Sequence, residues 1–280
     1  MLGVLLVATV PILGILSSAV LVFITLARGP VAAVTTAAIV LGLVFVAGMI
    51  GGVAPGNAVF SLAGNWVPCV AMASLLGWTR SAALTTQLSV VAGTVFIAAF
   101  ALLVPDPVVV WQPMIDFFVD AWRNTGQVEF AALIEENLPE VAKYLTFIMA
   151  VSYWLTVFLL MQLGLSIYRK LPGDKTEYGR FSELELGKVL ASITAVASVG
   201  SYLIGLEWLE GAAVFLFTAF MVQGIAVVHW HKQENGLPML TLVMAYGLFL
   251  ILNFAWGAIL ALIGYLDAWF NLRKKITMPA

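Results

Sequence analysis

Polar positions are sparse along this chain, and the apolar positions between them run long. Windows near the ~20 residues needed to cross hydrocarbon fall at 3–27, 31–50, 58–78, 82–104, 141–168, 189–206, 212–230 and 239–266. They predict an all-α fold, a polytopic transmembrane bundle of about eight hydrophobic segments. Helices are the expectation because lipid offers the backbone no hydrogen-bond partners. The first run holds Pro11 near its centre and the third holds Pro68. The first is therefore either one span or two half-helices. Without a basic lead, it reads as a membrane segment rather than a cleaved signal. The longest polar stretches, 105–140 and 169–188, are too short to hide a soluble domain, so residues 1–280 are expected to form a single transmembrane domain.

The excursion at 105–140 has its own period. Trp111, Ile115, Phe118 and Trp122 recur at helical spacing, while Gln112, Asp116, Asp120 and Arg123 take another face. This predicts an amphipathic helix lying in the membrane interface, followed by a second short helix near 128–138 closed by Pro139. The two either bridge long spans or act as a lid. Their acidic polar face argues against attraction to anionic lipid. The glutamates at 129, 135, 136 and 140 read as a solvated face, with calcium binding as the alternative.

Lys and Arg in short loops set the orientation. Arg28, Arg80, the group Arg169, Lys170, Lys175, Arg180 and Lys188, and then Lys232 follow alternate crossings and predict cytoplasmic loops. Arg273, Lys274 and Lys275 conflict with that scheme if residues 239–266 make one further crossing. Either the last run breaks near Asn253, or another window is miscounted.

Composition narrows the function classes. Of 280 residues, 62% are hydrophobic and 10% charged, far below the ~25% charge typical of soluble domains. The net charge of −2 (13 − 15) carries no electrostatic footprint for nucleic acid. A lone cysteine, Cys69, excludes an intrachain disulfide framework and a multi-cysteine zinc site. No GxSxG, Walker loop or CxxC is present. His229 and His231 lack the i, i+4 spacing of a helical metal pair. No Lys, Arg or His lies deep within a window, which disfavours proton pumping and ion conduction, and Asp267 has no second acid for an intramembrane protease. No cofactor, metal site or catalytic residue is expected, and the chain reads as a non-enzyme.

What remains are polar and small residues at helical spacing, which in membranes mark helix contacts or cavities. Tyr246, Asn253, Gly257, Leu260, Gly264, Asp267 and Asn271 form one stripe; Thr194, Ser198, Ser201 and Gly205 form another, and Thr86, Ser89 and Gly93 a third. Two readings stand. In one, these are packing faces with satisfied polar groups. In the other, Asn65, Trp66, Gln223, Tyr246, Asn253 and Trp256 surround a cavity for a small polar-headed ligand. Asp267 is expected to hold the end of the last helix by pairing with an arginine such as Arg273 or Arg80, with Trp269 and Phe270 at headgroup level.

Four stretches, "GRFSELELGKVLA" (179–191), "QGIAVVHW" (223–230), "GLP" (236–238) and "GYLDAWFNLRKK" (264–275), resemble the YybS-like family of predicted bacterial integral membrane proteins, a domain of unknown function. The likeness covers roughly residues 165–275. That family is thought to be similar to the S components of energy-coupling-factor transporters. The resemblance implies a multi-pass protein of the bacterial cytoplasmic (inner) membrane that binds a small solute and docks on partner membrane subunits through small-residue faces such as Ala33/Ala37 and Ser201/Gly205. Without a nucleotide site, ATP-driven work falls to other subunits. The sequence therefore leads to a small-solute binding or transport-related subunit, with the lipid bilayer and other membrane subunits as partners. The alternative is a structural or assembly factor that binds membrane proteins without a small-molecule ligand.

Overall fold

The computed structural model describes residues 2–51, 56–172 and 176–273, with side chains from residue 14 onward except residue 57. Lys175, Lys274 and Lys275, used above for orientation, lie outside the described residues. Among those described there are eleven α-helices, one 3₁₀ turn at Phe181–Glu183 and no strand. Six helices are long and apolar enough to cross a membrane. These are α2 (Pro30–Ile50), α3 (Gly56–Thr79), α4 (Ala82–Leu103), α7 (Leu138–Tyr168), α8 (Gly187–Ile204) and α9 (Glu207–Glu234). The first helix, α1, runs Leu2–Arg28 without interruption at Pro11, so the half-helix alternative is not taken. Pro68 likewise sits inside a continuous α3.

The helices group into two compact units, residues 1–86 with 154–181 and residues 87–153 with 182–280. In the first, α1 packs on α2 and α3. Trp66 donates from Nε1 to Ser17 Oγ at 2.8 Å, and Gly164 on α7 lies so close to Ala19 O that a Cβ would stand 2.6 Å away. Only Ala33 of α2 is buried, and most of the other apolar side chains of that helix are exposed. Ala33 itself is fully buried within its unit and is not available as an outward docking residue.

In the second unit the excursion folds as α5 (Pro107–Asn124) and α6 (Val128–Glu136). Asp106 caps α5 by accepting from Val108 N at 2.9 Å. The polar face of Gln112, Asp116, Asp120 and Arg123 is exposed as patterned. The buried face differs by one residue. Ile115 and Val119 enter a small core with Ala131 and Ala142, flanked by Trp111 and Trp122, whereas Phe118 is 44% exposed and stacks on Trp122. Pro139 does not close α6; it stands in the first turn of α7, where its missing N–H leaves no helix bond unmade. Glu135 pairs with Arg123 at 2.5 Å.

The last hydrophobic run is where the fold departs most from a simple crossing. It breaks at Asn253 into α10 (Met239–Leu252) and α11 (Phe254–Phe270). At 1.5 Å per residue these measure about 21 and 26 Å, each short of ~30 Å of hydrocarbon. Asn253 has φ 49° and ψ −121°, a positive-φ conformation outside the left-handed helical well that glycine adopts most readily. Across the break, Trp256 Nε1 donates to Ala245 O at 2.6 Å, so α11 doubles back along α10. His229, near the end of α9, meets the Tyr246 hydroxyl at 2.8 Å, which sets α10 antiparallel to α9.

The direction of α11 follows from two contacts. Gly224 and Gly264 seat it on α9: a Cβ on Gly224 would lie 1.9 Å from Leu260 O, and one on Gly264 2.0 Å from Phe220 O. Nine residues further along the chain from each glycine, Gln233 and Arg273 both bond to Ser182. The two helices therefore run parallel, and α10–α11 is a helical hairpin. It returns Arg273 to the end of α9 that carries Lys232, so these two basic residues lie at one end of the hairpin's packing partner.

Candidate functional site

Two polar constellations are built within the second unit. The first lies between α9, α11 and residues 182–186. Asn271 caps α11 in the left-handed conformation (φ 50°, ψ 69°), which swings the chain round so that Arg273 faces Asp267. Arg273 Nη2 and Nε lie 2.7 and 3.0 Å from Asp267 Oδ2. The same guanidinium donates to Ser182 O at 2.9 Å and to Leu184 O. Asp267 Oδ2 also accepts from Gln223 Nε2 at 2.8 Å, and Oδ1 from Leu272 N at 3.0 Å. Gln223 Oε1 in turn accepts from Leu186 N at 2.8 Å.

Gln223 is 0% and Asp267 3% exposed. A buried carboxylate in this setting requires both a counter-charge and filled lone pairs, and it has both. The chemistry of this network is cohesion: one guanidinium ties the end of α11 to residues 182–186, whose Ser182, Leu184 and Leu186 are buried while Glu183 and Glu185 are exposed.

The second constellation is a pocket formed by the end of α4 and the starts of α7 and α9. One lobe, about 90 Å³, is walled by Ile97, Phe100, Ala101, Phe147 and Trp208, with Lys143, Thr146 and Glu207 as polar groups. A neighbouring opening of about 290 Å³ shares Pro105, Pro107, Lys143 and Glu207, and adds Asp106 and Glu140. The sequence places Lys143 one turn into a hydrophobic run, where its stem packs apolar groups while the ammonium reaches the polar rim.

Lys143 Nζ stands 2.8 Å from Glu210 Oε2 and 3.9 Å from Glu207 Oε1. Both glutamates lie in the first turn of α9, where the helix dipole also favours them. Thr146 accepts from Trp111 Nε1 at 2.7 Å, which fastens α5 beside the pocket. Gly211 lies against Phe147 so closely that a Cβ would meet the ring at 2.2 Å.

The six residues expected to surround a ligand do not converge on either constellation as a group. Asn65 and Trp66 belong to the first unit; Asn65 Nδ2 bonds its own helix at Ser61 O (3.0 Å), and Trp66 is held by Ser17. Gln223 is enclosed in the Asp267 network. Tyr246 meets His229, Trp256 meets Ala245 O, and Asn253 forms the exposed hairpin tip. Trp269 and Phe270 are 38% and 66% exposed. The hydroxyls of Thr194, Ser198 and Ser201 bond carbonyls of their own helix, as does that of Thr86.

Sequence reasoning missed Lys143, Glu207, Glu210 and Trp208. Their signal was available in retrospect: a lysine just inside an apolar run, and an E-W-L-E start to another run, are the charges nearest to membrane windows. Comparison with family models, curated proteins and solved structures finds no match to this chain.

Proposed function

We propose that this chain is a small-solute binding or transport-related subunit of the bacterial inner membrane that acts with partner proteins. The observation that carries this reading is the pocket at Lys143. It is concave, with one lobe lined mainly by apolar side chains and the neighbouring lobe mainly by polar ones, the general make-up of small-molecule sites, and the start of α5 lines it. The resemblance of residues 165–275 to the YybS-like family, and through it to transporter S components, is an analogy of fold and supports the reading only at that level.

A second reading, an assembly factor without a small ligand, is supported by a different observation. Many hydroxyls of the other helices bond carbonyls of their own helix, while most apolar side chains of α2 are exposed. Native mass spectrometry of detergent-purified protein separates the two. A reproducible small-molecule adduct that is lost when Trp208 is replaced by Ala supports solute binding. Co-purifying proteins with no such adduct would transfer the case to the assembly role.

A further inference from the structure

Resting on the solute-binding reading, we infer that the Lys143 pocket takes a molecule with a protonated amine on an apolar body. Charge and saturation at the pocket lead to this class. Lys143, the pocket's cation, is already matched by Glu210 at 2.8 Å, so it offers little to an anionic ligand. Thr146 donates to Ala142 O at 3.1 Å while accepting from Trp111. Asp106 holds the start of α5.

The polar groups left in the second lobe are carboxylates. Glu207 reaches Lys143 only at 3.9 Å, with its side chain 70% exposed, and Glu140 lines the same opening. Four acids (Asp106, Glu140, Glu207, Glu210) face one lysine, a formal balance of 1 − 4 = −3. A carboxylate or phosphate ligand would meet that field with like charge. An ammonium would complete it, as charged groups favour opposite partners at close range. The wall of Ile97, Phe100, Phe147 and Trp208 then accepts the apolar body, with the aromatic faces also favouring a nearby cation. Both a soluble aromatic amine and the ethanolamine headgroup of a lipid carry this chemistry.

The test uses the full chain in phosphatidylcholine nanodiscs, titrated calorimetrically with phenethylamine, 2-phenylethanol and 3-phenylpropionate. Phenethylamine is expected to bind at least about tenfold more tightly than the other two, and Glu207→Gln to weaken it about tenfold, the size of one charge-assisted contact. Glu207 is exposed enough that its replacement leaves folding intact, which a thermal melt verifies. Repeating the titration with phosphatidylethanolamine in the disc assigns the source. Weakened amine binding there identifies a lipid headgroup as the native occupant, and unchanged binding identifies a soluble amine.

If the alcohol or carboxylate binds as well as the amine and Trp208→Ala abolishes it, the pocket reading stands and the amine class is overturned. If Glu207→Gln leaves amine affinity unchanged, the amine class also falls. If none of the three probes binds, both readings fall together.

Discussion

Asp267 provides the sharpest quantitative test of the C-terminal hairpin. Its carboxylate is almost fully enclosed and accepts from Gln223, Leu272 and twice from Arg273. Side-chain exposures of 2% for Asp267 and 9% for Arg273 leave little solvent to screen the pair. Replacing Asp267 with Leu strands the guanidinium beside two backbone carbonyls and leaves the Gln223 amide without its acceptor. Breaking one side of a buried ion pair costs about 3–5 kcal/mol. Arg273 follows the end of α11 and can swing partly toward water, so the lower figure, about 3 kcal/mol, is expected. That is roughly a 150-fold loss in the folding equilibrium.

Arg273→Met should cost a similar amount, because Ser182 O and Leu184 O lose their donor. The double variant removes both charges at once and should be less destabilised than the sum of the singles by about 2 kcal/mol, the coupling of residues in direct contact. Chemical unfolding in detergent micelles, followed by tryptophan fluorescence, measures all three. The reasoning fails if Asp267→Leu lies within about 0.5 kcal/mol of the parent, or if the single-variant losses add without coupling.

Two further outcomes follow from the same hairpin. Gly224→Ala or Gly264→Ala would force a methyl into a backbone carbonyl of the facing helix; overpacking of this kind costs about 1–3 kcal/mol or more. Gly42→Ala, with nothing within 4 Å, should be neutral or stabilising by up to ~1 kcal/mol, and thermal melts of the three read the contrast. A reporter fused after Ala280 should lie on the same side of the membrane as a cysteine label introduced at Lys232, because α11 returns parallel to α9. Opposite sidedness in a label-accessibility assay would mean that the hairpin at Asn253 does not form in the bilayer.

Much of the architecture was legible because membrane helices announce themselves one at a time. Each apolar run satisfies its own backbone, so its existence and approximate bounds depend on local composition alone, and all the predicted runs but the last correspond to single helices. The amphipathic excursion was legible for the same reason, down to its exposed polar face, although the choice of Val119 over Phe118 for the buried side depended on where α6 and α7 stood. The misplacement of Pro139 shows the limit of local rules. A proline ends one helix or begins the next with equal ease, and only the turn at Asn137 separates those outcomes.

The stripe on the last run illustrates what periodicity can and cannot convey. Gly257, Leu260, Gly264 and Asp267 do share a face of α11, and that face meets α9 closely. Tyr246 belongs to another helix running the other way, because one residue at Asn253 leaves the helical region. Spacing counts residues along an assumed continuous helix and cannot see that reversal. The dispersal of the six ligand candidates has a related cause: an asparagine or glutamine in a membrane run must find a partner, but whether that partner is a ligand, a backbone carbonyl or a carboxylate 44 residues away is decided by what packs beside it.

By itself, then, the sequence determined the solvent, the helical class and most of the segments, since these follow from the cost of exposing backbone or charge to hydrocarbon. Tertiary structure decided the direction of α11, the partners of Asp267 and Gln223, and the meeting of Lys143 with Glu207 and Glu210. Those are relations between segments distant along the chain, set by the close approach of Gly224 and Gly264 and by the tight turn between α8 and α9, and no local pattern encodes them.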